Sequence, residues 1–523
     1  MGKIDLPLRP WAPQWIGVLT VLLIIIPIGM INGANIGSML EVSDSLGVLS
    51  EDIAMGFYAT SAGMTVAYPL VKTVVNAVTP KTLLLSDLII QIFLCLFCTW
   101  TDNIDLIIVA SFFIGFVRAF IIYWFFISFM PILAPNNTRS ELYAWFFPFL
   151  FGVGQISIAL TAQLAYHYDW TYIYRFLAVN LLLAVIFVLV FFRYAKRPIH
   201  FPWCKLHYRS MFLVGSGLLM TMYVFIYGKQ QDWFESRKIV AYSIAAPLLL
   251  VCFFWQQTVS KRPYLSLYPL LRKKNVIGYI YMFITLFFST STILVTNYLN
   301  NILRTDSVYS NGIVMWLLPG FIIGGIIGYW WYRYNQWSFR FLIIGGILCS
   351  AAFFASMYLG MTPDSTYEML YLPMLVQGIG MMILVIGTAV YVFEGLEAPY
   401  WLSNIFFMLF FRTTLAAVIG MSVYNNTLYY LQQKYMVRLS NTITLADSVA
   451  SARYSDTLQG ALINGHGMSE ARQIATNTLY SVLQEQSTLM ALKSIFGWLL
   501  IAALIIATVT YYIPFYKTDK GIL

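Results

Sequence analysis

Three ionisable side chains lie inside long apolar stretches, and they are the first candidates for chemistry. Arg412 lies about eleven residues into the apolar stretch 401–423, and no acid occurs at that depth in any other apolar stretch. A charged side chain in the hydrocarbon core of a membrane is costly, so each one is a functional hypothesis by default. An unpaired guanidinium there should face water, backbone carbonyls or an anionic ligand. We expect Arg412 to line a central cavity.

Asp87 and Arg118 lie at similar depths in two neighbouring apolar stretches, 82–100 and 106–126. They lie about five and about eight residues from the same membrane face, which is roughly 8 and 12 Å at a helical rise of about 1.5 Å per residue. We predict that the two groups approach within ion-pairing distance. Such a pair would be structural, since breaking a buried pair costs about 3–5 kcal/mol. Alternatively, Asp87 would titrate to couple protons, with Arg118 tuning its pKa.

Uncharged polar side chains within or at the ends of apolar stretches could complete the cavity, among them Asn32, Asn35, Gln155, Gln377 and Asn404. Single polar residues in membrane helices more often bridge helices than bind a ligand. No carboxylate pair and no cluster of His, Cys and Asp marks an enzyme site. The five cysteines show no disulfide or zinc spacing. We therefore predict no catalytic residue, no metal and no bound cofactor.

The apolar stretches are organised around a central pair, residues 211–227 and 239–255, which a polar clasp at 228–238 separates. Each is near the roughly 17–25 residues that cross a bilayer as a helix. Six further stretches precede the pair and six follow it, so the sequence predicts an all-α integral membrane protein with fourteen transmembrane helices in a 6 + 2 + 6 arrangement. The twelve further spans are predicted at 15–38, 53–74, 82–100, 106–126, 142–165, 172–192, 276–298, 312–332, 339–359, 369–393, 401–423 and 495–512.

The distribution of charge predicts the domains and the orientation. Of 523 residues, 60% are hydrophobic and 10% are charged, whereas soluble domains carry about 25% charged residues. Five basic residues precede the central pair and five follow it. Because Lys and Arg concentrate on the cytoplasmic side of short loops, both termini should be cytoplasmic. The predicted domains are an N-terminal six-helix bundle (1–196), basic loops with the two-helix insertion (197–274) and a C-terminal six-helix bundle (275–523).

The net charge of +9 is spread along the loops between spans, so it indicates membrane orientation rather than nucleic-acid binding. The one sizeable polar segment is 424–494, between the last two predicted spans. We expect the preceding span to continue as a helix through about Leu439 and a second helix to begin near Ser469. The segment would be a platform for a periplasmic partner or a solvated helical spacer, and the residues alone leave both open.

Several short motifs follow one another along the chain. They are GKQQDWFES at 228–236, Tyr298-Leu299-Asn300-Asn301, Ser310-Asn311-Gly312, Leu318-Pro319-Gly320, Gln377-Gly378-Ile379-Gly380 and Phe411-Arg412-Thr413. In order and spacing they resemble the fourteen-helix drug:proton antiporter family of the major facilitator superfamily, whose inserted hairpin carries a similar Gly-x-x-x-Asp-Trp-Phe-x-Ser segment. The resemblance covers nearly the whole chain and is strongest in its second half. It implies a major facilitator fold and a role like that of the inner-membrane component of tripartite efflux pumps.

The chain departs from the family pattern at positions that matter for antiport. The first span offers Asn32 and Asn35 where the resemblance implies a carboxylate. The loop 70–83 keeps only Lys72 and Lys81 of its expected charges, and Arg118 follows Gly115 rather than preceding it. These departures weigh against proton antiport more than against the fold.

The resulting expectation is a secondary transporter that exports amphipathic small molecules or drugs across a bacterial inner membrane by alternating access, driven by the proton gradient. One alternative is an importer, or a dedicated organic-anion transporter with another coupling ion. A second is a membrane enzyme or receptor. The resemblance adds two possible partners besides the substrate and the bilayer: a periplasmic adaptor and an outer-membrane channel.

Overall fold

The structure, a computed structural model, describes residues 8–11, 14–31, 37–133, 139–194, 207–334, 339–442, 448–513 and 515. Helices dominate these ranges, as expected for a chain in lipid, where each backbone polar group must be satisfied inside its own helix. An isolated antiparallel bridge joins Leu8 to Phe192. Asn32 and Asn35 lie outside the described residues.

Within the described residues, the first half of the chain contains eight α-helices before the central pair. They are α1 (Gln14–Met30), α2 (Met39–Leu46), α3 (Ser50–Ala67), α4 (Val71–Ala77), α5 (Pro80–Trp100), α6 (Ile104–Leu133), α7 (Arg139–His167) and α8 (Thr171–Phe191). The central pair forms α9 (Tyr208–Tyr227) and α10 (Arg237–Val259).

The second half contains more interruptions. Its helices are α11 (Tyr268–Leu271), α12 (Lys273–Thr290), α13 (Thr292–Asn301), α14 (Ser307–Val314), α15 (Leu317–Tyr334), α16 (Phe339–Gly360), α17 (Tyr371–Phe393), α18 (Trp401–Leu409), α19 (Ala417–Thr442), α20 (Ser448–Ile463) and α21 (Met468–Tyr512). A π-helical segment, Phe410–Ala416, joins α18 to α19.

Twelve helical segments within the described ranges are long and apolar enough to cross a membrane. Each coincides with one of the predicted spans from 82–100 onward. The two remaining predicted spans correspond to α1, which is shorter, and to α3, which is less apolar. The chain is therefore a multi-pass helical membrane protein.

Close packing of α3 against α6 depends on two glycines. A β-carbon on Gly115 would lie 1.9 Å from the carbonyl oxygen of Thr60, and one on Gly63 would lie 2.0 Å from that of Phe112. Only glycine permits such an approach of two backbones, and small residues at membrane-helix contacts serve this purpose. The contact fixes the position of Arg118, which follows Gly115 by about one turn of α6.

The two ends of the bundle are defined by contacts of the α9–α10 hairpin. At the clasp end, the Tyr227 hydroxyl donates to the Asp52 carboxylate, near the start of α3. At the opposite end, which we call the basic end, the Tyr264 hydroxyl donates to the carbonyl of Val66. There the backbone N–H of Ser266 also donates to the Ser403 hydroxyl at 3.0 Å, at the start of α18. The hairpin and its connecting segment thus contact both halves of the chain.

The clasp also contacts the polar segment 424–494. The Lys229 ammonium lies 3.9 Å from the centre of the Tyr429 ring, on the extension of α19. Burial lowers the pKa of Lys229, and the nearby Glu51 carboxylate opposes that shift. The predicted helices of this segment are confirmed, because α19 continues to Thr442 and α21 begins at Met468. The intervening helix α20 was not predicted, since its sequence lacks a regular apolar face.

Candidate functional site

A cavity of about 100 Å³ lies between the two halves of the chain. Its wall is mainly aromatic and aliphatic. The lining residues are Met64, Tyr68, Ile122, Tyr123, Phe126, Tyr143, Phe146, Phe147, Leu150, Phe393, Ile405, Met408, Leu409 and Arg412. Arg412 is the one fixed charge among them, and no described lining residue is an acid. Ligand sites typically combine such an apolar wall with a few polar groups.

The Arg412 side chain enters this cavity, as the sequence predicted. It is 6% exposed, and its guanidinium carbon lies 5.4 and 5.6 Å from the ring centres of Phe147 and Phe151 on α7. Its Nε and Nη1 atoms have no hydrogen-bond partner among the described residues. Within those residues no acid forms an ion pair with it. The guanidinium is therefore held by aromatic faces and keeps two donors free.

The backbone at Arg412 is π-helical, a conformation that is rare and that occurs often at functional sites. This segment is fastened to the first half of the chain by Thr414. Its hydroxyl lies 3.0 Å from that of Thr65 on α3, and both side chains are fully buried. Because Thr65 donates to the Ser61 carbonyl at 2.9 Å, Thr414 is the donor between them. The bond fixes the π-helical segment two residues from Arg412.

Arg118 lies beside the same cavity and is also unpaired. It is 1% exposed and precedes the lining residue Ile122 by about one turn on the same face of α6. Its Nη2 lies 3.5 Å from the sulfur of Met64, a weak acceptor. Its Nε and Nη1 have no partner among the described residues. The phenol of Tyr68 interacts electrostatically with both Arg118 and Arg412.

Both arginines lie on the clasp side of the cavity. Helix α6 runs from the clasp end, where Ile104 and Asp52 line one small pocket, so Arg118 lies nearer that end than Ile122. Helix α18 begins at the basic end, so Arg412 lies nearer the clasp end than Met408. The aromatic wall extends from the arginines toward the basic end.

Bonds between the two halves join the helices at the clasp end. The Ser307 hydroxyl at the start of α14 donates to the Glu41 carboxylate on α2. The Asn311 amide donates to the carbonyl of Gly37 at 2.8 Å. These bonds lie on the arginine side of the cavity.

The predicted pairing of Asp87 with Arg118 is wrong. The Asp87 carboxyl, 3% exposed, contacts the Gln91 amide at 3.4 Å and the backbone of Ile121. Arg118 projects from α6 toward Met64 on α3, whereas Asp87 approaches α6 from α5, at the backbone of Ile121. The sequence argument compared positions along the two helices and could not give the direction of each side chain around its helix axis.

The two predicted glutamines differ in their surroundings. Gln377 is buried on α17, and its amide donates to the carbonyl of Phe288 on α12 at 3.3 Å. It therefore bridges helices and does not line the cavity. Gln155 is half-buried on α7, one turn beyond Phe151, and its carbonyl oxygen has no partner in the part of the chain that the structure describes.

One polar cluster was only partly recognised in the sequence. The Asn404 carbonyl oxygen on α18 accepts bonds from the Tyr279 hydroxyl and, at 3.3 Å, from the Asn275 amide, both on α12. All three side chains are buried. Asn404 was noted as an isolated polar residue, and its partners, a turn apart on one helix, could have been found from their spacing.

No protein-family model and no curated protein matches the chain. Among solved structures, the peptide transporter PepTSo2 is similar with a TM-score of 0.53 and 11% identity, over 95% of this chain and 97% of that one. An auto-inhibited peptide transporter of the POT family is similar with a TM-score of 0.52 and 11% identity, over 98% of this chain and 99% of that one. The human organic anion transporter MFSD10 is similar with a TM-score of 0.49 and 11% identity, over 92% of this chain and 100% of that one.

At these identities the similarity establishes the fold alone. The chain therefore has the fold of major facilitator transporters, as predicted.

Proposed function

We propose that the protein is a secondary transporter of amphipathic organic anions. The observation that carries the proposal is Arg412, an unpaired guanidinium in an aromatic cavity between the two halves of the chain. An unpaired cation in a low-dielectric site costs free energy that an anionic ligand would recover. Aromatic rings on Phe126, Phe146 and Phe393 would accommodate the ligand's apolar body.

The site favours an anion over a cationic drug. A cationic ligand would be repelled by the Arg412 guanidinium, and no described lining residue is an acid that could balance its charge. The dedicated organic-anion alternative thus fits the cavity better than a general drug exporter.

The transport cycle is proposed to be alternating access. The cavity would open toward the clasp end when the bonds of Ser307 to Glu41 and of Asn311 to Gly37 break. Opening at the basic end would require the Tyr143 and Phe393 rings, 5.8 Å apart, to separate. Two bundles that rock about a central site use such alternating contacts.

Three further parts of the proposal rest on the sequence resemblance. They are fourteen spans with both termini cytoplasmic, residence in a bacterial inner membrane, and export driven by protons. Asp87 would carry the coupling proton, because it is buried and unpaired with any described cation. The helices of 424–494 would contact a periplasmic adaptor and, through it, an outer-membrane channel.

The test is uptake of amphipathic anions into proteoliposomes containing the full chain. Arg412→Ala should abolish saturable transport while the amount of folded protein stays near normal. Arg175→Ala, on the exposed face of α8, is the matched control and should transport normally. Full transport by the Arg412→Ala protein, or failure only because it does not accumulate, would remove Arg412 from the site.

A further inference from the structure

Two cations without an ion-pair partner among the described residues lie at or beside the cavity. Arg412, from the second half of the chain, lines it. Arg118, from the first half, donates to the sulfur of the lining residue Met64 at 3.5 Å, and both cations interact electrostatically with the Tyr68 phenol. Each has Nε and Nη1 without a partner among the described residues. A group placed beside Tyr68 is therefore within electrostatic range of both guanidinium groups.

We infer that Arg118 and Arg412 together bind a head group that carries two negative charges, such as a phosphate monoester, on an apolar body. The inference rests on the proposed function and names its substrate class. A head group with one negative charge would leave a net positive charge buried at the clasp side of the cavity. One with two charges neutralises both arginines, and its several oxygens match the planar fork of each guanidinium.

Met64 connects the second arginine to the cavity. Its sulfur accepts a hydrogen bond from Nη2 of Arg118 at 3.5 Å, and Met64 also lines the cavity. A thioether is a weak acceptor and methionine is an unbranched, adaptable side chain. Phosphate oxygens would replace the sulfur as the hydrogen-bond acceptor when Met64 changes rotamer.

The remaining titratable groups at the cavity do not supply the missing negative charge. Within the described lining they are the phenols of Tyr68, Tyr123 and Tyr143. Asp87 faces Gln91 and the backbone of Ile121 instead. The two positive charges therefore lack a counter-charge among the described side chains that line the cavity.

The experiment compares three ligands that share one apolar body. They are 1-naphthyl phosphate, 1-naphthalenesulfonate and 1-naphthalenemethanol, tested by equilibrium dialysis against the full chain in lipid nanodiscs at pH 8. The second pKa of a phosphate monoester is about 6, so these ligands carry two, one and no negative charges. We expect the phosphate to bind about 10- to 100-fold more tightly than the sulfonate, the difference that added charge-assisted hydrogen bonds make.

The variants assign the effect to Arg118. Arg118→Gln should lower phosphate affinity to that of the sulfonate and leave sulfonate affinity within about threefold. Arg118→Lys should keep part of the preference because it keeps the charge. Arg175→Gln is the matched control and should change neither affinity.

The outcomes separate this inference from the proposed function. Equal affinity of the wild-type protein for phosphate and sulfonate, with both lost in Arg412→Gln, overturns the two-charge head group and leaves the anion transporter standing. A phosphate preference that survives Arg118→Gln overturns the role of Arg118. Binding of the alcohol alone, with neither anion bound, overturns both proposals.

Discussion

Replacing Arg412 by methionine should stabilise the unliganded protein while removing its ability to bind an anion. Two guanidinium nitrogens of Arg412 are buried without a partner, and each such group costs about 1–3 kcal/mol, about 2–6 kcal/mol together. The substitution also removes cation–π contacts to Phe147 and Phe151, which contribute about 0.5–2 kcal/mol each. The midpoints of these two ranges differ by about 1–2 kcal/mol in favour of the variant. Methionine leaves little cavity, because its flexible apolar side chain fills the space of the arginine stem.

The measurement is thermal unfolding of the purified protein, followed by intrinsic fluorescence without ligand. Because the entropy of unfolding scales with chain length, a gain of this size in a chain of 523 residues should raise the apparent Tm by about 1–2 °C. Arg175→Met, at an exposed position on α8, should leave the Tm unchanged. A Tm that falls by several degrees in Arg412→Met would show that the guanidinium is a structural group, and the reasoning from unsatisfied donors would be refuted.

Three further changes test the elements that hold the site. Thr414→Val removes the hydrogen bond to Thr65 on α3, which should lower stability by about 1 kcal/mol and weaken anion binding several-fold. Thr414→Ser keeps the hydroxyl and should bind like the wild-type protein. A serine variant that binds as weakly as the valine variant would contradict the role of this hydrogen bond. Gly115→Ala places a β-carbon 1.9 Å from a backbone oxygen and should destabilise the protein by about 1–3 kcal/mol in the same unfolding assay. Gly154→Ala is the control, because a β-carbon there has nothing within 4 Å, and its stability should be unchanged. Asp87→Asn should preserve ligand exchange between proteoliposome compartments but abolish accumulation driven by a proton gradient; unchanged accumulation would exclude Asp87 from coupling.

Apolar length was sufficient to locate the twelve helical segments that could cross a membrane, because a span in lipid requires a long unbroken run of apolar residues. A second principle, the cost of a charged group in hydrocarbon, predicted that Arg412 lines a cavity, and the structure places it in the cavity lining. The π-helical segment that carries it could not be predicted, because Phe410-Phe411-Arg412 has no spacing that distinguishes π-helix from α-helix. The contact between Thr65 and Thr414 could not be predicted either, because the two residues are far apart in sequence.

The failure of the Asp87–Arg118 prediction bears directly on function. The sequence argument assumed that two opposite charges at similar depth would neutralise each other, as structural ion pairs do. In the structure Arg118, Arg412 and Asp87 are all buried, and none is ion-paired within the described residues. A fold that needed only stability would replace such groups by apolar ones of similar volume. The presence of these buried groups without partners is explained if Arg118 and Arg412 bind an anionic ligand and Asp87 binds a proton.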